Sequence, residues 1–139
     1  MLAPMKRASL WIVAAASLLV AVGVFVQVYL ITAYFSGAGE GALDAHEVLG
    51  FAVIHLLELL VFLAAFGAFW RAWTWFGLSF LLFALGTVQL FLAPPDEDPA
   101  SGWVHGLHGL LAIVVLVVAA VIQHHDMRLL RRRALPPAP

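Results

Sequence analysis

No charged residue occurs between Arg7 and Glu40, and none between Arg71 and Asp96. Each stretch is longer than the roughly 20 residues an α-helix needs to cross the hydrocarbon core of a bilayer. Two further segments read the same way: 48–70, apolar apart from His55 and Glu58, and 103–123, with His105 and His108 near its start. The chain therefore predicts an all-α, four-transmembrane-helix bundle as a single domain over 1–135, with helices at about 9–35, 43–69, 72–93 and 101–125 and a disordered tail at 136–139. Turn-forming residues punctuate it: Ser36-Gly37-Ala38-Gly39 after the first helix, and Pro94-Pro95-Asp96-Glu97-Asp98-Pro99 after the third. The middle break, at Trp70-Arg71-Ala72-Trp73, is very tight and carries interfacial tryptophans. Lys6 and Arg7 precede an apolar run that continues well past the roughly 7–15 residues of a signal h-region, so the first helix is expected to be a permanent span.

Composition bounds the chemistry. Hydrophobic residues make up 64% and charged residues 11%, against roughly 25% charged in soluble domains, so a water-soluble globule, a nucleic-acid binder and a disordered chain are excluded as readings. With no cysteine in 139 residues, disulfides, iron–sulfur clusters, thiolate metal sites and covalent haem attachment are excluded too. All seven Lys/Arg residues fall at the N-terminus, the middle loop or the C-terminus. The positive-inside rule makes that side cytoplasmic, which predicts a multi-pass protein of a bacterial inner membrane with both termini inside.

An internal repeat relates the two halves. Val26-Gln27-Val28-Tyr29-Leu30 matches Val88-Gln89-Leu90-Phe91-Leu92, and His46-Glu47-Val48-Leu49-Gly50 matches His108-Gly109-Leu110-Leu111-Ala112. The offset is the same for both, since 89 − 27 and 108 − 46 each equal 62. Two tandem helical hairpins in the same orientation imply a pseudo-twofold axis along the membrane normal. That axis places His46 and His108 at equal depth, facing one another.

Polar residues inside membrane helices are costly and usually face the bundle interior. Here they are Gln27, His55, Glu58, Gln89, His105 and His108, with His46 near the outer boundary. Two imidazoles on facing helices can ligate the iron of a b-type haem from both sides, which points to a haem b-binding protein with His46 and His108 as axial ligands. Gln27 and Gln89 are then placed to hydrogen-bond the ligands or the porphyrin edge, and Gly50, Gly109 and Ala112 to let a flat ring approach the backbone. His105, three residues from His108, is the alternative ligand. His55 lies on the opposite helix face from His46 and shares a face with Glu58, as a hydrogen-bonded pair, a proton relay or part of a second site. His124, His125 and Asp126 read as a solvated interfacial cluster.

The segments Val88–Leu92 and Val104-His105-Gly106-Leu107-His108-Gly109-Leu110-Leu111-Ala112 resemble the second hairpin of one half of a haem A synthase. Members of that family join two four-helix bundles, each with histidines on its second and fourth helices flanking a haem; this chain looks like one such half. It also looks like small four-helix bacterial membrane proteins with an Asp-Ala-His start to the second helix, here Asp44-Ala45-His46. It departs from haem A synthases in lacking an outer-loop cysteine pair and a Glu-Tyr-x-x-His-Arg motif around the second-helix histidine. The resemblance therefore implies haem binding and does not extend to oxidation of a haem methyl group. The expected role is electron transfer or haem handling rather than enzymatic turnover, beside a larger respiratory or other membrane redox complex or as a homodimer, in the lipid bilayer. The alternatives are a cofactor-free accessory or assembly subunit and, more weakly, a metal or proton transporter using His55 and Glu58.

Overall fold

In the computed structural model, residues 4–92 and 101–132 are described. Among them the chain is entirely helical: α1 (Pro4–Ala33), α2 (Glu40–Val48), α3 (His55–Phe69), α4 (Trp73–Phe91) and α5 (Ser101–Arg132). Proline at the first position of α1 forgoes only an amide that would be unsatisfied there anyway. A wide turn over Tyr34–Ala38 ends the first hairpin arm, broken at Gly37 (φ 94°) and followed by Gly39 (φ 85°), both in backbone conformations that side chains disfavour. α2 continues through a π-helical stretch, Leu49–Ile54, into α3, so the second arm is one rod over Glu40–Phe69. The two hairpins are joined within Trp70–Ala72, where the Ala72 amide donates to the Phe69 carbonyl at 2.7 Å. The Pro94–Pro99 turn and the tail at 136–139 lie outside the described residues.

Four helices are long and apolar enough to cross a membrane: Pro4–Ala38, Glu40–Phe69, Trp73–Phe91 and Gly102–Arg132. They remain apolar on the outside, with Leu19, Phe25, Leu56, Leu63, Phe80, Ile113 and Val117 exposed. Helices hydrophobic all round suit a lipid environment. Hydroxyls are satisfied within their own helix, Ser17 Oγ donating to Val13 O at 2.7 Å and Ser79 Oγ to Trp75 O at 2.9 Å.

Packing makes a closed ring of neighbours. α1 lies against α3 and α5, α3 against α4, and α4 against α5. Among the described residues the backbones of α3 and α5 do not come close, so the second and fourth helices face across a diagonal, meeting through side chains where the Phe69 and His125 ring centroids lie 6.1 Å apart. The buried stripe of α1 (Leu10, Val13, Ser17, Val20, Val24) fills the centre together with Val61, Ala65, Leu82, Val115, Ala119 and Ile122. Near the histidine end this filling stops, and the diagonal opens.

The basic end corrects one expectation. Asp126 is 0% exposed, and His125 stacks on Trp75 with ring centroids 3.4 Å apart. His124 is exposed, as a solvated cluster would have it, whereas His125 and Asp126 belong to the packed end of the bundle. α5 continues beyond 125 to Arg132, and this continuation brings Asp126 onto the inward stripe that carries Ala119 and Ile122.

Candidate functional site

The site is built from two copies of one clasp. In the first hairpin, Gln27 Nε2 donates to the His46 backbone carbonyl at 2.9 Å, and His46 Nδ1 meets the Gln27 carbonyl at 3.2 Å. In the second, Gln89 Nε2 donates to the His108 carbonyl at 3.0 Å, and His108 Nδ1 meets the Gln89 carbonyl at 3.1 Å. A carbonyl only accepts, so each Nδ1 carries the proton. In its neutral form each ring then presents Nε2 as a lone pair, the tautomer a metal-binding imidazole uses. Each clasp also joins two helices through their backbones, where a side-chain pair alone would leave the ring free to rotate.

The two rings face each other across the diagonal with centroids 6.4 Å apart and planes inclined by 49°. They open onto a cavity of about 600 Å³, also lined by Gln27, Gly50, Gln89, Gly109, Ala112, His55, Glu58 and Gly86. That volume falls within the roughly 300–1,000 Å³ of small-molecule and cofactor sites. The lining is mostly apolar, with Val24, Ile31, Phe51, Leu90 and Val115 among it.

Gly50 has a more local task than receiving a flat ring. A Cβ there would come within 2.5 Å of Gln27 Nε2, so its absence lets the amide reach His46. At that point α2 passes into the π-helical stretch, a feature common at functional sites. The insertion of Gln27 at the His46 carbonyl supplies a physical reason for the loosened ladder. Gly109 has open space at its Cβ position and lines the cavity directly. With both Nε2 amide groups donating to carbonyls, the buried Oε1 atoms of Gln27 and Gln89 have no hydrogen-bond partner.

A second polar group lies deeper. His55 Nδ1 is 3.2 Å from Glu58 Oε2, and the His55 ring stacks on Phe83. Glu58 is 1% exposed, and its carboxyl occupies the place where a Cβ on Gly86 would lie. Sequence spacing finds the His55–Glu58 pair, but nothing in the sequence links Glu58 to Gly86 on another helix. His105 is half-buried and does not line the cavity. Among the described residues, no three His, Cys, Asp or Glu side chains converge to hold a bare metal ion.

The chain matches no model of a known family, no curated protein and no solved structure.

Proposed function

We propose that this protein binds one b-type haem between His46 and His108 and serves in electron transfer or haem handling in the bacterial inner membrane. The observation that carries this reading is the clasped pair of facing imidazoles. The His46 and His108 centroids are 6.4 Å apart. Imidazole nitrogens bind metals at about 2.0–2.1 Å, so a metal ion would fit between two facing rings at such a separation. The donor set favours the same group: among the described residues two nitrogens with no third ligand converging on them would suit an iron held otherwise by a porphyrin.

His46 and His108 would hold the iron through Nε2. Gln27 and Gln89 fix ring orientation and tautomer through the backbone, the outer-shell role that metal-ligating histidines commonly require. Gly109 and Ala112 would border the porphyrin, and the apolar cavity wall would keep bulk water away from it. Bound haem supplies reversible one-electron chemistry.

The setting is read from the long apolar helices and the placement of charge. Lys6, Arg7, Arg71, Arg128, Arg131, Arg132 and Arg133 all belong to one end by chain order. The positive-inside rule places that end in the cytoplasm and the histidine pair toward the opposite face. A neighbouring membrane redox complex would be the exchange partner for electrons.

The test is the absorption spectrum of protein purified from haem-replete cells. A Soret band and a low-spin reduced-minus-oxidised spectrum are expected, lost in both His46→Ala and His108→Ala and kept in His105→Ala. Colourless protein that acquires no Soret band on adding haem refutes the proposal and favours a cofactor-free accessory subunit. Loss of the low-spin spectrum in His105→Ala with retention in His108→Ala moves the ligand to His105.

A further inference from the structure

The cavity that holds the histidine pair also holds an ionisable pair further along the same rod: contrary to the expectation of opposite faces, His46 and His55 line the same cavity, with the π-helical stretch Leu49–Ile54 between them. Among the described residues Glu58 is the only carboxyl fully buried in its wall, and His55 is its hydrogen-bond partner at 3.2 Å. The two differ in access: the His55 side chain is 22% accessible, that of Glu58 2%. Their depth follows from Gly86, whose missing Cβ makes room for the Glu58 carboxyl. Gly86 precedes Gln89 by three residues, so the carboxyl sits about 4.5 Å of helix rise, one turn, from the Gln89–His108 clasp. A buried ionisable group one turn from a site whose charge changes has no structural need to be there; leucine would fill the space at lower cost.

We propose that Glu58 and His55 form a protonation site linked to the charge held between His46 and His108, taking up one proton when one electron enters the cavity. This rests on the haem reading. The electron comes from a one-electron reductant and the proton from solvent. Where Glu58 is ionised, the pair passes from net −1, with a neutral imidazole donating to the carboxylate, to net 0, and the only new bond is one O–H or N–H. The charge between the imidazoles falls by one at the same time, so the cavity as a whole keeps its charge. In a low-dielectric cavity two charges this close interact far more strongly than in water, so the uncompensated change is disfavoured. His55, the more accessible member, is the route by which the proton reaches the buried carboxyl.

Among the described residues few other groups bear on the pair. α1 carries no titratable side chain over 8–28, and α4 carries none at all. The π-helical stretch Leu49–Ile54 contributes none, and α5 contributes His108. Glu47 lines the cavity beside His46, at the mouth; it is untouched by substitution of Glu58 and serves as an internal control.

The experiment is a spectroelectrochemical titration of the haem-loaded protein at several pH values, for wild type, Glu58→Gln and Glu58→Asp. The wild-type midpoint potential should fall as pH rises, because the added proton favours the reduced state. The limiting slope is about 59 mV for each tenfold fall in proton concentration, one proton per electron. Glu58→Gln should flatten the slope, and Glu58→Asp should retain part of it. A dye measurement of proton uptake on reducing wild-type protein in unbuffered micelles needs no variant and should give close to one proton per electron. A wild-type potential independent of pH, no proton uptake, or an undiminished slope in Glu58→Gln overturns the proposal while leaving haem binding intact. Protein that binds no haem overturns both.

Discussion

Replacing Gly86 by alanine puts a methyl carbon into the space occupied by the Glu58 carboxyl. Both carboxylate oxygens and the carboxyl carbon lie inside normal contact distance of that methyl, so the carboxyl must leave. Leaving is expensive: Glu58 is 1% exposed, and departure breaks its bond to His55. A hydrogen bond to a charged group is worth about 1.5–3 kcal/mol, and a buried polar group left unsatisfied costs about 1–3 kcal/mol more. Alanine's helix propensity returns about 1 kcal/mol, so the expected net destabilisation is about 1.5–5 kcal/mol. In a Glu58→Ala background the methyl meets no carboxyl, and only the gain of about 1 kcal/mol remains. The double-mutant cycle should therefore show a coupling of about 3 kcal/mol or more. Reversible unfolding in mixed micelles of rising SDS fraction measures each corner of the cycle. If Gly86→Ala costs the same with and without Glu58, the reasoning that this glycine exists to seat the carboxyl is refuted.

Gln27→Leu and Gln89→Leu each delete one inter-helix hydrogen bond, worth about 0.6 kcal/mol on average in membranes. Because the imidazoles donate to backbone carbonyls that these substitutions leave in place, a low-spin spectrum should persist in both variants. Its loss would mean that the amides touch the cofactor directly. Gly50→Ala should weaken the first clasp by pushing the Gln27 amide from 2.5 Å contact, which is measurable as faster exchange between His46 ring orientations by NMR. An unchanged exchange rate would show that the π-helical stretch absorbs the extra methyl. Asp126 is fully buried, and neither of its carboxyl oxygens has a hydrogen-bond partner; Asp126→Leu should raise stability by about 1–3 kcal/mol, the cost of an unsatisfied buried group. A lower unfolding midpoint in that variant would reveal a partner for the carboxylate.

Much of this site is legible in the chain because a repeat is a relation between residues and needs no coordinates. The recurrence of a Gln–His spacing of 19 in both hairpins foreshadows two equivalent clasps and a facing histidine pair. Individual roles inside the clasp are not legible. The Gln27 side-chain amide donates to the His46 backbone carbonyl while the Gln27 backbone carbonyl meets the His46 ring, a division between side chain and backbone that spacing alone does not show. Gly50 accordingly serves that amide. The repeat also fails deeper in the bundle, where Glu58 aligns with Ala120 and Gly86 with Val24. The lower cavity is thus polar on one side only, and no internal comparison predicts it.

The sequence by itself determined the number of apolar helices, the segregation of basic residues, the exclusion of thiol chemistry and the pairing of His46 with His108. These follow from composition, run length and periodicity, which act along the chain. Tertiary packing decided the rest: which nitrogen of each ring is left free, that Glu58 fills the notch of Gly86, and that Asp126 turns inward while His125 stacks on Trp75. Each depends on contacts between helices whose relative rotation is fixed by small residues and steric fit. An apolar helix without an amphipathic stripe carries little sign of which face will be turned inward.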